Sequence, residues 1–461
     1  MSLSINDRLC TSLHFVGVLG TGMSALAQYL RRQSLTISGS DRLLGSPSTE
    51  RVRNILETMD CRLGPQDGTL VTKDVDGLVV STAIEENNPE IASARKLGIP
   101  VFHRSDVLAA IIASRKTVAV AGTSGKSTVA ALIFHCLREC GFDPSIITGA
   151  NLNTLVNEGL VGNAWTGESD LLVVEADESD GSLVKYHPYL SVFLNVSLDH
   201  KPIPVVVDLF KTLAGQSTAT LVNADDPRLC AIGGQRTFGY SHNADYRATS
   251  LDSRKEGAGI EMSGVSYRVP YPGLYMAWNL LAAVAACREM GCAPPHLRRA
   301  TGVYGGIQRR FDTITTSTGV TVIDDFAHNP EKIRAAVSAV QNLSNRVIML
   351  FQPHGFGPTK FMREELVKTL KEIIRPTDAL FLLPVYYAGG TADKSISSQD
   401  LVRDIGRSPG YVAAPAGREE IPALVAEMTK GNDIVISMGA RDPSLPELAR
   451  KIADAIDMRK K

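Results

Sequence analysis

No stretch of this 461-residue chain is long and apolar enough to span a bilayer, and its start, MSLSINDRLCTSLHFVGVLG, has no basic segment leading into an apolar core. A membrane protein and a secreted precursor are therefore not expected; a cytoplasmic protein is. Seven cysteines occur and none forms a CxxC pair, which argues against a disulfide framework or a zinc knuckle and suits a reducing compartment. Cys136 and Cys140, one turn apart on a predicted helix, read as buried thiols and not as a ligand pair. Charge of neither sign is in excess: 48 Lys and Arg face 49 Asp and Glu, a net charge of -1. That balance gives no electrostatic reason to expect nucleic acid or an anionic membrane as partner, so any phosphate binding must come from local geometry. Internal repeats and low-complexity tracts are also missing.

What is present is a globular composition, 44% hydrophobic and 21% charged, over a length that calls for two or three domains. The organising stretch is KTVAVAGTSGKST, residues 116–128. Val118, Ala119, Val120 and Ala121 suit a buried parallel strand, and Gly122 and Gly125 permit a tight turn that aims several backbone N–H groups at one point. Lys126 adds a mobile positive charge and Ser127 a hydroxyl able to ligate Mg²⁺, at the start of an apolar helix. The usual spacing GxxxxGK[ST] is shortened, with Val120 in the place of its first glycine. A phosphate cradle for a nucleoside triphosphate is preferred here over an ordinary strand-to-helix turn with a surface lysine.

Upstream, LHFVGVLG passes through Gly17, Gly20 and Gly22 into a helix, and the next strand ends at Asp41, the opening of a Rossmann-like βαβ unit. Its GxxGxG spacing leaves open a nicotinamide site, a site for another diphosphate ligand and a structural turn. Asp41 either takes a sugar hydroxyl or caps the turn. Downstream of the cradle, DLLVVEADESD presents Glu175, Asp177, Glu178 and Asp180 at a strand end, and LSVFLNVSLDH ends at Asp199 and His200. Parallel α/β sheets gather ligands at the carboxyl ends of their strands, so these residues are expected to face residues 122–128, with Glu175 the foremost magnesium ligand. His200 is either a ligand or an ordinary core or surface histidine.

Short alternating strands after Tyr246 predict a small side sheet. Arg309 and Arg310 either clamp a phosphate across a domain joint or brace that joint. Asp324, Asp325 and His328 follow the first strand of the last segment. A closing domain would bring them to the nucleotide; otherwise they form a capped turn, since Asn329 is a good N-cap and Pro330 a good first helical residue. The expected architecture is three α/β domains: a Rossmann-like domain over 1–115, a central P-loop ATPase-like domain with the side sheet over 116–313, and a Rossmann-like domain over 314–461.

Taken in order, GVLGTGMSALA, SGSD, STAI with NNPEI, GIPVFHRSDVLA, AVAGTSGKST, EADESD, NVSLDH, QRRFD, DDFAHNP and FQPH resemble the Mur ligases of peptidoglycan synthesis, across all three segments. Among them the pattern is most like that of the alanine-adding members. The resemblance implies an ATP-dependent amide ligase in the cytoplasm, monomer or homodimer, with no nucleic acid or membrane partner. In the implied reaction the carboxylate of UDP-N-acetylmuramate attacks the γ-phosphorus of ATP, and an amine displaces phosphate from the acyl phosphate. The first glycine turn becomes a UDP-sugar site comprising Gly20, Thr21, Gly22, Met23, Ser24, Asp41 and Ser81. ATP falls to Gly122, Thr123, Ser124, Gly125, Lys126, Ser127 and Thr128, with Asn279 at the adenine, Arg310 at the phosphates, and Asp325 at the ribose beside His328. Ser127 and Glu175 hold one Mg²⁺ and His200 serves a second, so that Lys126, Glu175, His200 and His328 form the implied catalytic set.

The departures from that pattern concern the adenine pocket and the acceptor. Alanine-adding members carry His and Asn where this chain has Tyr275 and Met276, and a tyrosine where it has Phe326. After FQPH they carry two arginines; here the run is Gly355, Phe356, Gly357, Pro358. His354 and Lys360 remain as acceptor-binding candidates. L-alanine is the first expectation for the acceptor, with another amino acid or a preformed murein peptide as the alternative. A nucleotide-binding paralogue without catalysis is an alternative of another class; the retained GKST, EADESD and DDFAH elements weigh against it.

Overall fold

The computed structural model describes residues 2–197, 201–387 and 394–459. The chain divides into two compact units, one of Met1–Ser250, Gly259–Val269 and Trp278–Ile307, the other of Leu251–Ala258, Pro270–Ala277 and Gln308–Lys461. Three larger sheets, beside a two-stranded one, carry the expected α/β fold class among the described residues. Among the described residues no helix is long and apolar enough to cross a membrane.

The first sheet is wholly parallel. Strand Ser12–Val16 lies between Thr36–Ser40 and Gly77–Val80, with Arg62–Gly64 and Val101–His103 outside them. Successive strands therefore leave Ser12–Val16 on opposite sides, which opens a crevice at its carboxyl end. There Gly17, at φ 77, turns the chain toward helix Thr21–Arg32. Downstream, Asn88 caps helix Pro89–Leu97 by accepting from Glu90 N, and Gly98, in the left-handed region at φ 69, ends it.

The central sheet repeats the device. Strand Lys116–Ala121 pairs in parallel with Leu171–Ala176 on one side and Leu190–Phe193 on the other. It is buried on both faces from Thr117 to Ala121, which is why its sequence is an unbroken apolar run instead of an alternation. Helix Lys126–Glu139 is equally dictated: every residue from Thr128 to Leu137 is buried, as its all-round apolar sequence requires. The three short strands expected as a side sheet, Tyr246–Arg254, Gly257–Met262 and Val265–Val269, are not detached; they continue the edge of the central sheet beyond Arg236–Gly239.

In the second unit six strands run in the order Asp312–Thr315, Thr321–Asp325, Ile434–Met438, Val347–Phe351, Ala379–Leu382, Tyr411–Ala413; only the first pair is antiparallel. Helix Pro330–Gln341 follows Asp325 and is capped by Asn329, whose Oδ1 accepts from Lys332 N at 2.9 Å. Asn329 and Pro330 thus play the cap and first-turn parts that the sequence suggests.

A polar cluster that no sequence pattern announced lies inside the first sheet. His14 and Glu90 are both fully buried. The ring nitrogens of His14 meet Ser38 Oγ at 2.8 Å and Glu90 Oε1 at 3.2 Å, and Ser40 Oγ donates to Glu90 Oε2 at 2.5 Å. Two strands and a helix are tied together where an unpartnered polar atom would be costly. Glu90→Ala is expected to lower the unfolding free energy by about 3 kcal/mol, because it strands the histidine and serine partners. Glu90→Gln keeps an acceptor and is expected to cost less than half as much, as read from urea midpoints.

Candidate active site

The glycine-containing loop 122–125 joins strand Lys116–Ala121 to helix Lys126–Glu139. Gly122 has φ 152 and Gly125 φ 87, conformations that L side chains rarely adopt. Space forbids side chains as well: a Cβ at Gly122 would lie 2.9 Å from Leu194 Cβ, and one at Gly125 2.5 Å from Asn279 Oδ1. Asn279 therefore sits directly against the loop. The loop is also held from the next strand. Asn195, just past Leu190–Phe193, accepts from Thr123 Oγ1 and Ser124 N at 3.0 and 2.9 Å and donates to Ser124 O at 3.0 Å. Thr123 Oγ1 in turn accepts from Ser197 N at 2.9 Å. The Ser124 hydroxyl is buried without a partner. The apolar strand preceding Asn195 was the signal for this clamp, but sequence reasoning looked past it to His200.

Lys126 Nζ donates to Gly122 O and to Glu178 Oε2, both at 2.8 Å, and stands 3.6 Å from Asp177 Oδ1. Burial by itself would lower its pKa, but Glu178, Asp177 and Glu175 outweigh that cost and raise it, so the ammonium is firmly charged. Glu178 is only 2% exposed, and desolvation lifts its pKa despite the lysine. Ser127 Oγ donates to Glu175 Oε2 at 3.0 Å. Glu175, opposite Val120 in the parallel register, also accepts through Oε1 from Gly149 N at 3.0 Å and from the Thr148 hydroxyl. The expected meeting of Lys126, Ser127 and Glu175 at neighbouring strand ends is thus present, and Glu178 joins it as the lysine's direct partner. Asp199 and His200 lie outside the described residues.

At the first glycine turn, Gly20 precedes helix Thr21–Arg32 as its N-cap. Asp41 braces the turn by accepting from Leu19 N at 3.0 Å and Leu43 N at 2.8 Å. The side chains of Met23 and Ser24 are buried, and Ser81 follows directly on strand Gly77–Val80. Two residues that sequence reasoning did not single out complete this end. Fully buried Asn163 donates to Thr21 O at 2.8 Å and Ser24 Oγ at 3.0 Å and accepts from Gln28 Nε2 at 2.8 Å. The Arg104 guanidinium lies against Gly22, within 3.0 Å of where a Cβ would be, and pairs with Asp180 at 2.9 Å. The glycine turn and the acidic loop after Glu175 are therefore joined by one ion pair.

In the second unit, Arg310 lies over the Phe326 ring, 4.7 Å from its centroid. Asp325 is buried and accepts from Phe311 N and Ala327 N at 2.9 and 2.8 Å. The rings of His328 and His354 are 5.4 Å apart, so two residues separated by 26 positions meet beyond the carboxyl ends of strands Thr321–Asp325 and Val347–Phe351. Lys360 Nζ reaches Ser395 Oγ at 3.4 Å. Arg309 does the bracing, pairing with Asp324 at 3.2 Å and donating to Gly439 O and Ala440 O, each at 2.7 Å.

Burial pushes the Asp324 carboxyl up to about 6, against the pull of Arg309 and with the help of neighbouring Asp325. A group with a raised folded pKa favours the native state most when protonated. Its contribution is complete below the ordinary carboxylate range and is lost as pH rises toward 6. Asp324→Asn is expected to remove that loss, so the urea midpoint of the variant relative to the parent climbs between pH 4 and pH 6 and levels off above.

With the geometry in view, comparison with known proteins is informative. Residues 12–116 match the Mur ligase family catalytic domain, 120–287 the Mur ligase middle domain, and 309–441 the Mur ligase glutamate ligase domain. A UDP-N-acetylmuramate–L-alanine ligase of Streptomyces coelicolor is 33% identical over 96% of this chain and 97% of that protein. One of Geobacter sulfurreducens is 32% identical over 93% and 94%. Among solved structures, the UDP-N-acetylmuramate-alanine ligase of Thermotoga maritima superposes with a TM-score of 0.77 at 23% identity, covering 98% of this chain and all of that one. A murein peptide ligase of Psychrobacter arcticus gives 0.69 at 18%, covering 97% and 99%. Matched by three family domains and, along nearly its whole length, by relatives a third identical to it, the chain belongs to the Mur ligase family.

Proposed function

We propose that this protein is an ATP-dependent ligase that activates the carboxylate of UDP-N-acetylmuramate and joins it to L-alanine in the cytoplasm, as a monomer or homodimer. The observation that carries this reading is the meeting of Lys126, Ser127 and Glu175 at adjacent strand ends, in a chain 33% identical over 96% of its length to a protein named for that reaction. We assign the UDP-sugar to residues 1–115, ATP to 116–313 and the acceptor to 314–461.

Phosphoryl transfer is promoted chiefly by positioning and charge neutralisation. The loop amides and Lys126 supply both. Because Glu178 and Asp177 keep the ammonium charged beforehand, Lys126 exchanges carboxylate for phosphate oxygens without gaining a proton on binding. The paired oxygens of Ser127 and Glu175 are a hard donor set and fit Mg²⁺. When bound, Mg²⁺ would neutralise phosphate charge; Ser127 and Glu175 would hold it, with His200 proposed for a second ion. Asn279 is proposed at the adenine, Arg310 at the phosphates, Asp325 at the ribose and His328 beside it. Gly20 to Ser24, Asp41 and Ser81 are proposed around the UDP-sugar, and His354 and Lys360 at the acceptor. The run Gly355 to Pro358, which lacks cations, favours a second reading in which the same chemistry serves a different amino acid or a preformed peptide.

Lys126→Ala is expected to cut phosphate release from ATP, measured with UDP-N-acetylmuramate and L-alanine, by about a hundredfold or more while the circular dichroism spectrum persists. Glu175→Ala should raise the Mg²⁺ concentration for half-maximal rate by about tenfold. Offered singly, L-alanine should drive release faster than glycine, L-serine or the stem tripeptide, with an amide product detected by mass. A faster rate with another amine transfers the acceptor assignment to that amine.

A further inference from the structure

The clamp on loop 122–125 comes from a segment that has run past its sheet. Strand Leu190–Phe193 pairs in parallel with Ala219–Asn223 as far as Phe193 opposite Val222, and residues 194–197 continue beyond that pairing. Leu194 and Val196 are buried, so their backbone groups need partners that the ladder no longer supplies. Side chains from the turn after strand Ala219–Asn223 take over. Asn223 Nδ2 donates to Leu194 O at 2.9 Å, and Asp226 Oδ2 accepts from Val196 N at 2.8 Å. Asp226 Oδ1 accepts from Arg228 N at 3.0 Å, and the Arg228 guanidinium donates back to Val196 O. Asn195 is thereby fixed on both sides. Its carbonyl accepts from Thr123 N at 3.2 Å, beside the contacts that its side chain makes with Thr123 and Ser124. The adjacent acid, Asp225, turns to another element and accepts from Tyr240 N and Ser241 N, the latter at 3.1 Å.

We infer that Asp226 is a positioning residue for the nucleotide, acting through Val196 and Asn195 on the placement of loop 122–125. The inference rests on the assignment of ATP to that loop. The amides of Thr123 and Ser124 are engaged by Asn195, so the clamp sets the angle at which the first N–H groups of helix Lys126–Glu139 are offered to a phosphate. An anion held by several backbone N–H groups is bound well only when they converge on one point. Each oxygen of the Asp226 carboxylate takes one N–H, which ties Val196 to the turn that carries Arg228. Alanine removes both bonds and frees Val196, and Asn195 with it. Asparagine keeps one acceptor oxygen, and its NH₂ faces the N–H that the other oxygen had bound.

The test titrates the full chain with N-methylanthraniloyl-ATP and Mg²⁺ by fluorescence and measures KM for ATP and for UDP-N-acetylmuramate in the same preparations. Asp226→Ala is expected to weaken nucleotide binding and raise KM for ATP by about tenfold, while KM for UDP-N-acetylmuramate stays within about twofold of the parent. Asp226→Asn should fall between parent and alanine variant, and it carries the same comparison if the alanine variant does not fold. Asp225→Ala, in the same turn but bonded away from the clamp, should bind nucleotide as the parent does. The inference is overturned if the Asp226 variants bind nucleotide like the parent, if Asp225→Ala weakens binding equally, or if both KM values rise together. Lys126→Ala separates this failure from that of the ATP assignment. If it too binds nucleotide like the parent, the assignment falls; if it loses affinity while the Asp226 variants keep theirs, the positioning role alone falls.

Discussion

The partly buried ammonium of Lys126, held between Gly122 O and Glu178 Oε2, is the interaction on which the rest of the site depends. A charge largely removed from water persists only if its surroundings replace what water supplied. Here the replacement comes from three chain segments at once: the loop that turns at Gly122, the acidic run after strand Leu171–Ala176, and the helix that begins at Lys126 itself. Each arrives where it does because Lys116–Ala121 is paired in parallel on both sides. Glu175 and Ser127 meet by the same register, and Asn195 closes the loop from the opposite neighbour.

The first glycine turn is tied to this centre by polar contacts within the same compact unit. Asn163 anchors the first turn of helix Thr21–Arg32, the Arg104–Asp180 pair links Gly22 to the acidic run, and Lys185 donates to Asp106 at 2.6 Å. Directional bonds of this kind fix orientation as well as distance, which a purely apolar contact would leave free to slide. A sugar carboxylate and a triphosphate bound at the two turns would then be presented to each other at a defined separation, the condition under which positioning accelerates a reaction.

Legibility in the sequence followed the range of the interaction. KTVAVAGTSGKST announces a strand, a turn and a helix through neighbours a few residues apart, and Asn329 with Pro330 announces a helix start in the same way. EADESD was legible as acids at a strand end, but which acid serves Lys126 was not: Glu175 and Glu178 differ only in where the chain bends after the strand. The His14–Glu90 contact spans 76 positions and Asn163 to Ser24 spans 139, and no local pattern records such a pairing.

The sequence by itself determined the α/β class, the glycine turn between strand Lys116–Ala121 and the helix after it, and the identity of the groups gathered around that turn, because strand burial, glycine turns and helix caps are set by near neighbours. Tertiary structure alone decided which of those groups touch: that Glu178 and not Glu175 holds the lysine, that Asp41 braces a turn, and that Arg309 supports Asp324 while Arg310 lies on Phe326. The reason is physical. Local propensity fixes where a side chain leaves the backbone, whereas desolvation and packing, which depend on everything folded around it, fix what it meets.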